Sequence, residues 1–187
     1  MPLNIPNIIT LSRLLLIPLI IGLYYMPHEW AALDLKNTLA CGVFILAAAT
    51  DWLDGYLARK LNQMSAFGAF LDPVADKLIV VGALIVLLQL ERVESLVGFI
   101  IIGREIAISA LREWMAKVGH AKSVAVAFIG KLKTVSQMVA IPLLLYHDRL
   151  LGIDCLALGT ILINIAAVLT VASMLYYLRK ALPHAAL

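Results

Sequence analysis

The sequence predicts an all-α integral membrane protein in which six transmembrane helices form one bundle. Of its 187 residues, 63% are hydrophobic and 14% are charged, and the mean hydropathy is +0.96. A soluble domain has about half of its residues apolar and about a quarter charged. Six segments are each long enough to cross a bilayer, which takes about 20 largely apolar residues. Because only short connections separate these segments, we expect a single membrane domain over residues 1–187.

The first three predicted spans are apolar segments at 7–26, 37–59 and 67–89. The first span contains Arg13. The second carries Asp51 and Asp54 near its end, and the third carries Asp72 and Asp76 near its start. The acidic residues therefore cluster on either side of one short connection.

The last three predicted spans lie at 94–116, 124–146 and 154–178. The fourth contains Arg104 and Arg112, the fifth contains Lys131 and Lys133, and the sixth is apolar. Because consecutive spans run in opposite directions, most of the charges inside the six spans fall in the same half of the membrane. We therefore expect one polar cavity that opens at that face.

The basic residues of the connections predict the orientation. If the N-terminus is cytoplasmic, six basic residues lie on the cytoplasmic side: Arg59, Lys60, Lys117, Lys122, Arg179 and Lys180. Three lie on the other side: Lys36, Arg92 and Arg149. Lys and Arg are enriched in cytoplasmic loops, so we expect both termini and the polar cavity to face the cytoplasm.

Asp51, Asp54, Asp72 and Asp76 lie within 26 residues of one another. On a helix the first two are about 60° apart and the last two about 40° apart, so each pair shares a face. Oxygen ligands suit a hard cation such as Mg²⁺, Mn²⁺ or Ca²⁺, and this much negative charge suits two ions. A single aspartate at a helix end is more often a cap, and Asp72 before Pro73 could be one. Four together indicate a site, because a charge buried in a membrane costs about 2.5–3.5 kcal/mol.

Small residues and an arginine accompany the aspartates in a fixed pattern. The pattern Asp51-x2-Asp54-Gly55-x2-Ala58-Arg59-x8-Gly68-x3-Asp72-x3-Asp76 resembles the full motif of the CDP-alcohol phosphotransferase family. This resemblance implies a six-helix membrane enzyme, usually a homodimer, that displaces CMP from a CDP-linked alcohol. It implies that the four aspartates hold divalent metal, Mg²⁺ or Mn²⁺, and that Asp76 is the general base. The donor-binding residues that we expect are Gly55, Ala58, Arg59, Gly68 and Asn7.

Three further stretches resemble one group of enzymes within that family. They are "NIPNIITLSR" near the start, "REIAISALREWMA" at 104–116 and "SVAVAFIGKLKTVSQM" at 123–138. The resemblance covers 1–178 and implies that the substrates are CDP-diacylglycerol and sn-glycerol 3-phosphate, used among the lipids of a bacterial inner membrane. The small net charge of +3 argues against a nucleic-acid partner.

A phosphorylated acceptor needs cationic side chains beyond those that serve the donor. Arginine binds phosphate bidentately and lysine binds it as a point charge. The candidates are Arg104, Arg112, Lys131, Lys133 and Arg13. The alternative is that these residues pair with Glu105 and Glu113 or extend toward the membrane surface. By helical spacing, Asn7, Thr10 and Arg13 could form one polar face, for either the nucleotide or the acceptor.

Two other functions are consistent with parts of this pattern. An ion transporter could place carboxylates within a bundle, but it needs a polar path through both halves of the membrane, and the outer halves of these spans show almost no charge. A related enzyme could use another acceptor, such as serine or inositol phosphate. A release assay for CMP with a panel of acceptors distinguishes these functions.

Overall fold

The computed structural model describes residues 5–60, 65–119 and 128–184, without the side chains at 5–6, 52, 54–59, 66, 69 and 184. Over these residues the fold consists of helices joined by short connections. The first three are α1 (Ile5–Tyr25), α2 (Leu33–Lys60) and α3 (Ala66–Gln89). The last three are α4 (Ser95–Lys117), α5 (Phe128–Tyr146) and α6 (Cys155–Ala181), and α6 continues into a 3₁₀ turn at Leu182–His184.

Each helix overlaps one predicted span, so the all-α prediction is confirmed over the described residues. The exception is a small antiparallel hairpin between α5 and α6, formed by β1 (Arg149–Leu150) and β2 (Ile153–Asp154). The backbone turns at Leu151 and Gly152, which have φ values of 52° and 85°. Glycine adopts this left-handed region without a steric cost, which is why the hairpin turns there.

Four of the described helices are long and apolar enough to cross a membrane. The qualifying segments are Asn7–Tyr25, Leu33–Asp51, Phe128–Tyr146 and Cys155–Ala181. α3 and α4 have similar lengths of 24 and 23 residues. Both of these helices also contain charged residues, and α3 for example includes Asp72, Asp76 and Lys77. The lengths and composition of the helices therefore support the prediction of a membrane protein.

The hydrophobic core joins all six helices. α5 and α6 pack together over most of their lengths, and α1 packs against both α2 and α3. Gly159 of α6 faces Leu144 of α5 so closely that a Cβ at position 159 would lie 2.8 Å from Leu144 Cγ. Small residues let membrane helices approach in this way. The largest buried core side chains include Ile20, Phe44, Leu84, Leu87, Ile101, Ile141 and Leu144.

Arg92, in the connection between α3 and α4, is buried at one end of the bundle. Its Nη1 donates hydrogen bonds to the carbonyl oxygens of Leu144 and Leu145 at 3.0 and 2.9 Å. Its Nη2 donates to Asn37 Oδ1 at 3.0 Å, and the Tyr24 hydroxyl donates to the same oxygen at 3.1 Å. Burial lowers the pKa of the Arg92 guanidinium. These carbonyls belong to the last turn of α5, where backbone carbonyl groups have no hydrogen-bond partner within the helix. Arg92 therefore caps α5.

Lys36 is buried at the same end, where its Nζ donates to the carbonyl oxygen of Met26 at 2.5 Å. We call this end, which holds Lys36 and Arg92, the opposite end. The other end holds the first halves of α1, α3 and α5 and the second halves of α2, α4 and α6. We call it the cavity end, because the cavity described below opens there.

Candidate active site

A cavity of about 340 Å³ lies between α2, α3, α4 and α5 at the cavity end. Its charged lining residues are Asp51, Asp76, Lys77, Arg104, Glu105, Arg112 and Lys133. The two aspartates come from α2 and α3, and we call them the acidic wall. Arg104, Arg112 and Lys133 come from α4 and α5, and we call them the basic wall. The cavity therefore has carboxylates on one side and mainly basic residues on the other, with Lys77 next to the acidic wall and Glu105 within the basic side.

Arg13 of α1 joins the two carboxylates of the acidic wall. Its Nη1 donates to Asp51 Oδ1 at 2.9 Å and to Asp76 Oδ1 at 2.5 Å. The Arg13 side chain is 1% exposed, whereas those of Asp51 and Asp76 are 44% and 46% exposed. Two oxygens that accept from one nitrogen lie close together, so α2 and α3 converge here. The guanidinium offsets the repulsion between the two carboxylates.

Asp72 lies inside α3, one turn before Asp76. It accepts a hydrogen bond from Thr10 Oγ1 of α1 at 2.8 Å. The N-cap of α3 is Ser65, whose hydroxyl accepts from the Gly68 backbone N–H at 2.9 Å. The alternative that Asp72 caps this helix is therefore wrong, and its carboxylate is held by a neighbouring helix instead.

Gly68 lets α1 approach the start of α3. A Cβ at position 68 would lie 2.7 Å from Asn7 Oδ1, and the same oxygen accepts from Ser65 Oγ at 3.1 Å. Asn7, Thr10 and Arg13 are all buried and all reach α3. The polar residues of α1 thus form one face that supports the acidic wall.

The remaining motif residues lie on α2 beyond Asp51. The backbones of Asp54, Gly55, Ala58 and Arg59 are helical, and their side chains are outside the described part of the structure. Their predicted roles in metal and donor binding stay predictions.

The carboxylates at the acidic wall fit a hard divalent cation by their chemistry, because all of the donors are oxygens. Asp51 and Asp76 border the cavity, and Asp72 lies one turn away. Among the side chains that the structure describes, no three acidic, histidine or cysteine residues are arranged to hold a metal ion. The motif also includes Asp54, whose side chain lies outside the described part of the structure.

On the basic wall, Glu105 of α4 pairs with two cations. Lys133 Nζ of α5 donates to Glu105 Oε1, and Arg104 Nη1 contacts the same oxygen at 3.4 Å. Lys133 and Arg104 are both buried. The structure thus shows the alternative in which Lys133 and Arg104 pair with Glu105. Both cations nevertheless line the cavity.

α6 supplies the other contacts of the two arginines. Arg104 Nη2 donates to Ser173 Oγ at 3.2 Å, and Arg112 Nη2 donates to the Tyr177 hydroxyl at 3.4 Å. The guanidinium carbons of Arg104 and Arg112 lie 5.8 and 5.3 Å from the centre of the Tyr177 ring. The Nε atoms of both arginines are buried and have no hydrogen-bond partner among the described residues. Both guanidiniums line the cavity, where they can bind an anion.

The predicted acceptor residues do not all meet at one place. Arg104, Arg112 and Lys133 line the cavity, and Arg13 lies behind the acidic wall. Lys131 is exposed and is not among the cavity-lining residues. Residues two apart on a helix lie on nearly opposite faces, so Lys131 points away from the cavity that Lys133 lines.

Several residues that line the cavity or contact its arginines were not predicted from the sequence. Lys77 follows Asp76 directly, and Gln137 lies one turn after Lys133 in α5. Ser173 and Tyr177 have the same one-turn spacing on α6, and both are fully buried. Polar residues four apart in an apolar span are the signal that could have found the last three, because they share a helix face.

The arrangement suits a ligand with two phosphate-bearing parts. Carboxylates at the acidic wall can bind a polyanion only through cations, because like charges repel. The basic wall can bind a phosphate directly through charge-assisted hydrogen bonds. The cavity can therefore hold two phosphate groups at different places, one through metal and one through side chains.

Comparison with known proteins points in the same direction. A family model described as CDP-alcohol phosphatidyltransferase matches residues 3–172. A protein of Pseudomonas fluorescens is 49% identical over 185 residues, which cover 97% of this chain and 91% of the relative. A protein of Salmonella choleraesuis (strain SC-B67) is 47% identical, covering 97% of this chain and 96% of the relative. Both relatives are named CDP-diacylglycerol–glycerol-3-phosphate 3-phosphatidyltransferase.

The family model spans the motif of four aspartates, the arginines of α4 and the lysines of α5. The relatives match over almost the whole chain, so the likeness is not confined to the motif. The predicted family is confirmed: this chain belongs to the CDP-alcohol phosphatidyltransferase family.

Proposed function

We propose that this chain transfers the phosphatidyl group of CDP-diacylglycerol to sn-glycerol 3-phosphate, forming phosphatidylglycerophosphate and CMP. Relatives that carry the name of this reaction match 97% of the chain. The structural observation that carries the proposal is the cavity with one acidic wall and one basic wall. A nucleotide donor and a phosphorylated acceptor each bring a phosphate group, and each wall suits one of them.

The donor pyrophosphate lies at the acidic wall. Asp51, Asp54, Asp72 and Asp76 would hold Mg²⁺ or Mn²⁺, two ions in all, and the bound metal would neutralise the pyrophosphate and stabilise CMP as it leaves. Thr10 and Arg13 keep three of these carboxylates in place through the contacts from α1. The remaining donor contacts that we propose are Asn7, Gly55, Ala58, Arg59 and Gly68.

Asp76 acts as the general base. Its carboxylate borders the cavity, and its side chain is 46% exposed there. It accepts the proton of the glycerol 1-hydroxyl, while the hydroxyl oxygen forms a bond to the phosphorus that carries diacylglycerol. The bond between that phosphorus and the oxygen of CMP breaks, and CMP leaves. No covalent intermediate with the enzyme is needed, because the acceptor itself attacks.

The phosphate of the acceptor lies at the basic wall. Arg104, Arg112 and Lys133 bring three positive charges to the cavity, and Glu105 contributes one negative charge. A phosphate monoester carries a charge of about −1.5 to −2 at pH 7. The net positive charge of these four side chains therefore suits it. Holding the phosphate there orients the hydroxyl for attack. The sequence also predicts Lys131 and Arg13 as acceptor contacts, but neither is among the residues that line the cavity, and the role of Lys131 is tested below.

We also propose that all six helices span a bacterial inner membrane as one domain, with the cavity and both termini on the cytoplasmic side. The bias of basic residues toward that side supports this orientation. Large apolar side chains such as Leu15, Phe99 and Val168 are exposed on the described surface and suit lipid contact. The family resemblance further implies a homodimer.

Release of CMP by the purified enzyme tests the reaction. CDP-diacylglycerol is supplied with glycerol 3-phosphate, serine, inositol phosphate or unphosphorylated glycerol, and the lipid product is identified by mass spectrometry. We expect rapid release with glycerol 3-phosphate alone. Preference for another acceptor would leave the family intact and overturn the proposed acceptor. The control is the same preparation without an acceptor.

Cysteine labelling tests the orientation. His120→Cys and Glu91→Cys are made in a background without Cys41 and Cys155, and intact cells are treated with an impermeant thiol reagent. We expect labelling at position 91 alone, with position 120 reacting only after the membrane is opened. The reverse pattern would refute the cytoplasmic site together with the orientation.

A further inference from the structure

α6 contributes an unexpected polar face to the cavity end. Ser173 and Tyr177 lie one turn apart on this helix, and both are fully buried. Neither side chain carries a charge, and the basic residues Arg179 and Lys180 of the last turn are exposed. Both buried residues contact arginines of the basic wall rather than residues of the acidic wall.

We infer that Tyr177 is a positioning residue, which holds Arg104 and Arg112 in the arrangement that receives the acceptor phosphate. The inference rests on the proposed function and adds a residue that the motif does not contain. Tyr177 does not line the cavity itself. It acts through the guanidiniums of Arg104 and Arg112, which do line the cavity.

One aromatic ring lies within reach of two like charges. The guanidinium carbons of Arg104 and Arg112 are 5.8 and 5.3 Å from the ring centre. Cations are attracted to an aromatic ring within about 6 Å, and more strongly when water is excluded. Two guanidiniums without this ring would repel each other in a poorly solvated site. The ring therefore stabilises a pair of charges that would otherwise separate.

The Tyr177 hydroxyl adds direction to this attraction. It accepts from Arg112 Nη2 at 3.4 Å, which is long for a hydrogen bond. Ser173 holds Arg104 Nη2 from one turn away at 3.2 Å. The two arginines are thus each tied to α6 by one nitrogen, and both have an Nε atom that no described residue engages.

The ring itself is fixed by packing. Tyr177 belongs to a small buried cluster with Ile108, Met115 and Ala181. Ile108 and Met115 come from the same helix as the two arginines. The cluster therefore fixes the ring relative to α4, so that the positions of the guanidiniums do not depend on a bound ligand.

This role predicts a specific kinetic change. The two arginines stand on the basic wall, and donor binding is assigned to the acidic wall. Loss of the ring is expected to raise KM for glycerol 3-phosphate and to leave KM for CDP-diacylglycerol unchanged. A residue that only stabilises the fold would lower the yield of folded enzyme and affect both substrates equally.

The experiment compares Tyr177→Phe and Tyr177→Leu in the full-length enzyme in detergent. Tyr177→Leu removes the ring, and we expect KM for glycerol 3-phosphate to rise about tenfold or more. Tyr177→Phe keeps the ring and loses only a long hydrogen bond, so we expect a rise of about threefold. In both variants the KM for CDP-diacylglycerol is expected to stay within about twofold, which is within the effect of an ordinary surface substitution.

Tyr176 provides the matched control. It is the adjacent aromatic residue on α6, and its ring centre lies 5.0 Å from Lys180 Nζ. Its ring also packs edge-on against that of Tyr177, with the ring centres 5.6 Å apart, but it does not contact the arginines of the basic wall in the described structure. It therefore controls for loss of aromatic packing without loss of the arginine contacts. Tyr176→Leu and Tyr176→Phe are expected to keep the wild-type KM for both substrates.

The outcomes separate the inference from the proposed function. A selective rise in KM for glycerol 3-phosphate at position 177, absent at position 176, supports the inference. Wild-type acceptor kinetics in folded Tyr177→Leu would overturn it and leave the proposed function standing. If Tyr177→Leu does not fold, Tyr177→Phe decides by the same split between the two KM values. If the wild-type enzyme does not use glycerol 3-phosphate, the proposed function fails and the inference fails with it.

Discussion

The two ends of the bundle both bury charged side chains, but they use the charges differently. At the opposite end, Arg92 donates to two backbone carbonyls and to Asn37, and Lys36 donates to a third carbonyl. At the cavity end, Arg13 and Lys133 pair with carboxylates that border an open space. Burial alone therefore does not identify a functional charge.

What differs between the ends is the kind of partner. A backbone carbonyl in the last turn of a helix cannot leave its place, so a charge bonded to it stabilises the fold. A carboxylate that is nearly half exposed, such as that of Asp51 or Asp76, can exchange its partner for a ligand or a cation. The ion-transporter alternative loses support for another reason: the family model and the relatives that match 97% of the chain are phosphatidyltransferases by name.

Removal of divalent metal should give the largest effect and should act on the cavity end alone. Excess chelator is expected to abolish the release of CMP, and added Mg²⁺ or Mn²⁺ to restore it, because the aspartates then lack the cations that neutralise the donor. The unfolding midpoint is expected to change little. Full turnover in excess chelator would contradict the metal site.

Asp76→Asn should nearly abolish turnover at any acceptor concentration. A positioned general base contributes about 10²- to 10⁴-fold to the rate, and an amide cannot accept the proton. The matched control is Asp148→Asn, an exposed aspartate near the opposite end, which is expected to keep wild-type kcat. The measurement is kcat with both substrates saturating. A rate within tenfold of the wild type would exclude Asp76 as the base.

Arg92→Met tests the opposite end by stability rather than by rate. It leaves the carbonyls of Leu144 and Leu145 without this donor, and each unsatisfied buried group costs about 1–3 kcal/mol. We expect a loss of about 3 kcal/mol in the free energy of unfolding, measured by denaturation in detergent, with unchanged kcat for the folded enzyme.

The control for this prediction is Arg149→Met, because Arg149 is an exposed arginine in β1 on the same side. It is expected to change stability by less than about 0.5 kcal/mol. If Arg92→Met lowers kcat without affecting unfolding, the contrast between the two ends is wrong.

Lys133→Ala and Lys131→Ala should differ in their effect on acceptor kinetics, although the sequence predicts the same role for both lysines. Lys133 is buried at the basic wall, and loss of a charge-assisted hydrogen bond there is expected to lower kcat/KM for glycerol 3-phosphate by about 10- to 150-fold. Lys131 is exposed, so its loss is expected to cost less than about threefold. Donor binding, measured in the same preparations, should be retained. Equal losses in the two variants would place Lys131 at the acceptor site after all.

The sequence predicted the helices well because their signal is local. Segments of about 20 apolar residues reveal membrane helices directly, and each described helix overlaps its predicted span. The motif spacing also predicted that Asp51 and Asp76 would converge, since a short connection between antiparallel helices leaves few other arrangements. Arg13 was predicted to bind the acceptor phosphate, which stays a prediction, and its partners in the described structure are Asp51 and Asp76.

The contacts that were missed depend on which helices become neighbours. Nothing in the sequence near Tyr177 shows that it will lie under arginines of α4, which are more than 60 residues away. Similarly, Lys36 and Arg92 were counted as loop charges, because their burial depends on how α2, α3 and α5 meet. Lys131 and Lys133 differ only in the face of α5 on which they lie, and that face is set by tertiary packing.

The position of Arg13 also bears on how the enzyme is made. A classical zinc finger stays unfolded until its metal arrives, because the metal–ligand bonds supply its folding free energy and hold the ligands together. Here a guanidinium from α1 already stands between the carboxylates of α2 and α3. The chain thus carries its own counter-ion for these carboxylates. Under the proposed function, a metal ion would therefore enter a site that the fold has already assembled.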